Sequence, residues 1–231
     1  MSNKTILTTL YPFLHRKAQD KEKLDAALLQ SVADKAAESR DTNARFFAEQ
    51  GEALVAAART IAGVYRGGGR LFAMGNGGSS CDATHIAVEF NHPVTAGRPA
   101  LAAVNLGADI ATITAVGNDV GFEHVFVRQL VAQARAGDGL IGVSTSGNSP
   151  NLVAAFAKAK EIGLATIGLA GDHGGEMRRA GTLDHCLIVP SSSIHRIQEC
   201  HVAINHILWD LAHTLLADDR GAAATAGVRP L

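Results

Sequence analysis

No apolar stretch in this 231-residue chain approaches the roughly 18 residues needed to span a bilayer. Residues 1–10 lack the apolar core and small-residue cleavage site of a secretory signal, so no such signal is expected there. Cysteine is scarce. Cys81, Cys186 and Cys200 build no disulfide framework, and an odd count suits a reducing compartment, so the cytoplasm is the expected location. An excess of one charge is missing too. A formal net charge of −1 gives no electrostatic reason to expect nucleic acid or an anionic membrane as a partner. Neither an internal repeat nor a low-complexity segment is present, and there is no Walker loop or GxGxxG fingerprint. What remains is 47 % hydrophobic, rich in Ala, Val, Leu and Ile. The length suits one domain with an appendage, or two small domains, with a core that needs no staples.

Residues 21–66 read as helix. Leu24, Ala27, Leu28 and Val32 recur at helical spacing, and a second run carries Phe46, Phe47, Leu54, Val55, Ala58, Ile61 and Val64. Gly67-Gly68-Gly69 stops it. Residues 1–20 are expected to be helical in part, with a break near Pro12. The pattern then changes to short apolar runs between helices. Strands are expected at Arg70–Met74, Ala100–Val104, Leu140–Val143, Ala165–Leu169 and His185–Val189. Helices are expected at Ser80–Phe90, Ala108–Gly117, Gly121–Ala136, Asn151–Ile162, Gly175–Ala180 and Ile194–Leu216. Five strands alternating with helices predict an α/β fold with a parallel sheet and right-handed crossovers. The chain divides into a helical segment, 1–66, an α/β domain, 67–216, and a frayed tail, 217–231.

In such sheets ligands sit beyond the carboxyl ends of the strands. Two unusual loops fall there. Ser144-Thr145-Ser146-Gly147-Asn148-Ser149-Pro150 packs hydroxyls and backbone amides into one strand-to-helix turn. Ser149 suits the N-cap and Pro150 the first helical position, where a missing N–H costs nothing. A helix start attracts anions, and with no Lys or Arg in the loop a phosphate would be held by neutral hydrogen bonds. Met74-Gly75-Asn76-Gly77-Gly78-Ser79-Ser80 repeats the logic after the first strand. Two such loops at one sheet edge can grip both ends of a small phosphorylated molecule. Two well-capped polar turns is the plainer alternative. Gly117-Asn118-Asp119 is a third polar cluster, ordinary turn chemistry unless it lies at the same edge.

Asp82, His85 and Glu89 share one face of the helix after the first loop. A His and a carboxylate at i, i+4 can share a metal, or form a solvated surface pair. The last helix holds Arg196, Gln198, His201, Asn205, His206, Trp209 and His213. Ile197, Ile204, Leu208, Leu211 and Leu215 form its apolar stripe. Gln198 and His206 flank Val202 and Trp209 on another face, directed away from that core. This face suits a cleft, a subunit interface or ordinary surface.

Assembled in order, these motifs resemble the sugar-isomerase (SIS) domain proteins, and within them the phosphoheptose isomerases. The resemblance runs from Ala44 to Leu216. It rests on Gly-Asn-Gly-Gly-Ser at 75–79, Cys-Asp-Ala at 81–83, His85 with Glu89, and Gly-Asn-Asp at 117–119. It continues through Ser-Thr-Ser-Gly-Asn-Ser at 144–149, Asp-His-Gly-Gly at 172–175, and Arg-Ile-Gln-Glu at 196–199 with His206. It implies a three-layer αβα sandwich on a five-stranded parallel sheet of flavodoxin-like order, preceded by N-terminal helices. It implies a cytoplasmic enzyme that interconverts sedoheptulose 7-phosphate and D-glycero-D-manno-heptose 7-phosphate. Substrate contacts would come from Asn76, Gly77, Gly78, Ser79, Glu89, Asn118, Asp119, Ser144, Thr145, Ser146, Ser149 and Gln198. His85, Glu89, Gln198 and His206 would bind one zinc ion, and Glu89 and His206 would be the proton-transfer pair. The N-terminal helices would pack into a homotetramer, with sites at subunit interfaces.

The chain departs from that family pattern at two positions. Pro93 stands where the family usually has a substrate-contacting arginine, and His195 where many members carry an aspartate. The extension before Ala44 is also longer than usual. An isomerase of a different phosphosugar therefore stands beside the heptose reading. A non-catalytic SIS protein that binds a replication initiator is a third reading. In such relatives the Glu and His of the pair are replaced, whereas Glu89 and His206 are kept here.

Overall fold

The computed structural model describes residues 21–218; the expectations for residues 1–20 and for the tail beyond 218 lie outside them. In chain order the elements are α1 (Lys21–Arg66), β1 (Leu71–Gly75), α2 (Gly78–Asn91), β2 (Ala103–Asn105), α3 (Ile110–Asp119), a 3₁₀ turn (Phe122–His124), α4 (Val125–Gln133), β3 (Gly139–Ser144), α5 (Pro150–Ile162), β4 (Ala165–Gly171), α6 (Gly175–Arg179), β5 (His185–Val189) and α7 (Ile194–Asp218). Two compact units divide the chain after Arg40, within α1. In the first, Leu28, Leu29 and Val32 are exposed. The second contains the rest of α1 and the sheet.

The five strands pair in the order β2-β1-β3-β4-β5, all parallel. Period-2 alternation divides their side chains between two cores. Leu71, Ala73, Ile141, Val143, Ile167 and Leu169 meet Phe46, Leu54 and Ile61 of α1, Ile86 and Phe90 of α2, and Ile197, Ile204 and Leu208 of α7. Phe72, Met74 and Leu140 face the other way, onto Phe126 and Leu130 of α4, Leu152 and Phe156 of α5, and Met177 of α6. Each fully buried Leu or Phe contributes about 1.5–3 kcal/mol. This is the three-layer α/β sandwich expected from the sequence, and residues 41–66 belong to its core.

Local chemistry moves several element ends. The second strand is short because Leu101 N–H bonds Phe90 O, and the Asn91 amide brackets Ala103 N–H and C=O. Residues before Ala103 are thus drawn to the end of α2. Asp109 caps α3 by accepting Thr112 N–H at 3.1 Å, so the helix starts and ends two residues later than expected. The run expected as one helix from Gly121 breaks into the 3₁₀ turn and α4, because Gly121 adopts φ 112°. α7 runs to Asp218, past the residue where a tail was expected.

Strand order reverses direction between β1 and β3, the point where a doubly wound sheet opens a crevice for ligands. The loops after these two neighbouring strands are Asn76–Gly77 and Thr145–Ser149.

Candidate active site

The loop after β3 is a cradle of short polar contacts. Ser144, 4 % exposed at the end of β3, has its Oγ 3.0 Å from Ser149 Oγ at the N-cap of α5. The turn closes through Gly147 N–H to Ser144 O at 3.1 Å, and Ser146 Oγ accepts Asn148 N–H at 3.2 Å. Gly147 has φ +65°, and a Cβ on it would lie 2.2 Å from Gly174 O. Glycine is therefore required by both conformation and space. The Asp172–Gly175 turn braces the cradle. Gly171 N–H bonds Thr145 O, Met177 N–H bonds Gly147 O, and Asn148 Oδ1 accepts Glu176 N–H at 2.9 Å. Asp172 holds φ +53°, the one non-glycine residue with positive φ among the described residues. A cavity of about 180 Å³ lies against this loop, lined by Thr145, Ser146, Asp172, Ser192, Ile194 and Ile197.

The loop after β1 is tied directly to this cradle. Asn76 and Asn151 exchange amide hydrogen bonds, each Nδ2 donating to the other's Oδ1 at 2.9 Å. Asn151 is 1 % exposed and also accepts Leu152 N–H. Sequence reading missed Asn151 as part of the site. An amide directly after the Ser149-Pro150 helix start was the available signal. Gly77, at φ +56°, caps α2, which therefore starts two residues before the expected Ser80. Ser79 is buried beneath the turn.

α2 and α7 run side by side in the same direction, and this pairing builds the second half of the site. Its contacts keep a nearly constant offset. Gln198 Nε2 sits 2.2 Å from where a Cβ of Gly78 would be. His206 Nε2 is 3.3 Å from His85 Nε2, and Trp209 Nε1–H bonds Glu89 O at 2.8 Å. One turn along α2, His85 Nε2 is 3.2 Å from Glu89 Oε1. The two imidazoles meet edge to face at 4.9 Å. Donor atoms of His85, Glu89 and His206 all lie within 4.8 Å of one another. Of the readings open for this face, a cleft fits: α2 lies along it, Trp209 is 8 % exposed, and His206 stays open to solvent.

Two imidazole nitrogens and a carboxylate at that spacing fit a tetrahedral divalent ion such as zinc, with a position left open. Three of the four expected ligands are thus together. The amide of the fourth, Gln198, packs on Gly78 at the start of the same helix α2. Asn118 and Asp119 lie in the last turn of α3, where Asn118 Nδ2 donates to Asp119 Oδ1 at 2.7 Å. Pro93 follows α2, and His195 is exposed in the first turn of α7.

Asp82 and His201 have shifted acidities. Burial pushes the Asp82 carboxyl up to about 6, against the opposing pull of His85. Its Oδ2 is buried without a hydrogen bond. Burial also holds the His201 imidazole down at about 4, despite its bond to Ala170 O.

Residues 36–171 match the SIS domain family. A phosphoheptose isomerase of Solidesulfovibrio magneticus is 44 % identical over 184 residues, 80 % of this chain and 87 % of that one. Another from Aneurinibacillus thermoaerophilus is 47 % identical over 148 residues, 64 % of this chain and 74 % of its own. Among solved structures, a phosphoheptose isomerase from Neisseria gonorrhoeae superposes with a TM-score of 0.76 at 39 % identity, covering 81 % of this chain and 99 % of that chain. One from Francisella tularensis gives 0.77 at 32 % identity, covering 80 % and 98 %.

Proposed function

Since the chain belongs to the SIS domain family, and within it to the phosphoheptose isomerases, we propose that it interconverts sedoheptulose 7-phosphate and D-glycero-D-manno-heptose 7-phosphate through an enediol. The observation that carries this reading is the His85–Glu89–His206 cluster, built on the helix that leads from one of two linked polar loops. Ser144, Thr145, Ser146 and Ser149 hold the phosphate by neutral hydrogen bonds. Asn76, Gly77, Gly78, Ser79 and Gln198 contact the sugar chain, with Asn118 and Asp119 as further contacts.

Glu89 takes the proton from the carbon beside the carbonyl, and the electron pair left behind forms the enediol C=C bond. It returns a proton to the neighbouring carbon. His206 moves the proton between the two oxygens. His85, Glu89 and His206 would hold zinc, with Gln198, which packs on Gly78 at the start of the same helix, as the fourth ligand. When bound, the metal polarises the hydroxyl–carbonyl pair.

We assign the protein to the cytoplasm as a homotetramer. Among the described residues no helix is long and apolar enough to cross a membrane. Leu28, Leu29 and Val32, between 56 % and 72 % exposed on α1, are apolar surface suited to a second copy. An isomerase of another phosphosugar is the second reading, favoured by Pro93 and His195 at positions where the family pattern differs. A non-catalytic role, binding a replication initiator, is disfavoured because Glu89 and His206 are both kept and clustered.

A panel of ketose phosphates in deuterated water, followed by proton NMR with zinc supplied, tests the proposal. Deuterium is expected at C1 or C2 of the heptose phosphate. The exchange should vanish in Glu89→Gln and after exhaustive chelation. No incorporation with any sugar refutes the isomerase reading, and wild-type exchange in Glu89→Gln removes Glu89 as base.

A further inference from the structure

α2 ends shortly after Glu89, and the manner of its ending is tied to Pro93. In an uninterrupted helix the Glu89 carbonyl accepts the N–H four residues on. That residue is Pro93, which has none. The neighbouring carbonyls are satisfied through backbone amides: Val88 O by His92 N–H and Phe90 O by Leu101 N–H, both at 2.8 Å. Glu89 O instead receives the indole N–H of Trp209, also at 2.8 Å, from α7.

Trp209 is itself held in place. The Arg98 guanidinium carbon lies 4.4 Å from the ring centroid, and Arg98 Nη2 pairs with Asp210 Oδ1 at 2.5 Å. His213 packs at 4.9 Å from the indole and at 5.9 Å from Phe90, joining the ends of both helices. Arg98 is thereby committed to packing α7.

We infer that Trp209, held by Arg98, is a positioning residue for isomerisation: its indole N–H supplies the helix bond that Pro93 withholds and fixes the backbone carrying Glu89. This rests on the reading of Glu89 as the base. A general base must lie within about 2.6–3.2 Å of the proton it takes, and a misplacement of about 1 Å can cost up to 100-fold in rate. Proline at residue 93 and tryptophan at residue 209 are thus one device. The first removes a donor at the residue that does the chemistry, and the second replaces it from across the helix pair.

Trp209→Phe keeps the ring packing and deletes the N–H, and Pro93→Ala restores a donor at the missing position. The kcat and KM for sedoheptulose 7-phosphate are measured for the wild type, both single variants and the double variant. Trp209→Phe is expected to lower kcat about tenfold with KM within about twofold. In the Pro93→Ala background the same substitution should cost less than about threefold. A role in packing alone predicts equal losses in both backgrounds. Equal losses, or no loss in either, overturn the inference. Trp209 is the chain's one tryptophan. Biosynthetic incorporation of the isosteric benzothienylalanine therefore deletes only the N–H, should the phenylalanine variant fail to fold. If no phosphosugar is turned over, the active-site reading has failed, and positioning is read from amide exchange at His92. Faster exchange in Trp209→Phe, restored by Pro93→Ala, upholds the helix-end role; unchanged exchange overturns it.

Discussion

Acid should weaken this fold through His201, and replacing His201 should remove that sensitivity. His201 lies on α7, 1 % exposed, with Nε2 3.2 Å from Ala170 O and Nδ1 buried without a partner. A neutral ring donates one N–H to that carbonyl. A protonated ring would place a charge in the core, so burial keeps the folded-state pKa at about 4 against an ordinary value of 6.5. Between these two values the unfolded chain binds a proton that the folded chain does not, so stability falls as pH falls. The contribution is intact above 6.5, erodes through the window, and is gone below about 4. A gap of about 2.5 pH units at about 1.36 kcal/mol each gives about 3 kcal/mol. Urea unfolding of the wild type and His201→Leu, at one protein concentration in chelated buffer from pH 7 to 4.5, isolates the effect. The carboxylates and other histidines cancel in the difference. The leucine variant should gain about 2–3 kcal/mol on the wild type across that range. Parallel pH profiles would refute the argument. The consequence reaches the site, because Ala170 precedes Gly171, whose N–H bonds Thr145 O in the cradle.

The cradle supports two further expectations. Ser144→Ala and Ser149→Ala each break the mutual hydroxyl contact, and each should raise KM for the phosphorylated sugar roughly tenfold while leaving kcat nearly unchanged; steady-state kinetics decide, and a drop in kcat alone would move the residues from anchoring to chemistry. Gly147→Ala must accommodate φ +65° and a Cβ 2.2 Å from Gly174 O, so a loss of about 2–4 kcal/mol in thermal or urea unfolding is expected. Wild-type stability there would mean that the Asp172–Gly175 turn yields rather than braces.

The architecture was legible because its signals are local. Short apolar runs alternating with helical segments marked five strands, and the alternation of Leu71, Phe72, Ala73 and Met74 between two cores follows from the pleat alone. The two polar loops were legible for the same reason, since caps and turn residues act within a few positions. Order in the sheet is not local. That β1 lies beside β3, which brings Asn76 to Asn151, follows from strand pairing that no spacing encodes. The missed strand and helix ends had the same cause: Asn91 and Asp109 redirected neighbouring backbone through side-chain bonds.

The last helix shows where periodicity fails as a guide to a site. Its wheel separates Ile204 and Leu208 from Gln198, His206 and Trp209 correctly, and leaves open whether the second face lines a cleft, an interface or ordinary surface. It lines a cleft, because α2 lies along it in parallel with an offset of 120 or 121 residues. A wheel gives angle and discards height. Gln198 and His206 lie within 80° of each other in projection, yet they stand eight residues apart along the axis, about 12 Å. Parallel pairing turns that height into a division of labour, with Gln198 against the turn that starts α2 and His206 against its centre. His85 and Glu89, four residues apart, are the pair that a single metal ion can reach together, and His206 completes them from the facing helix.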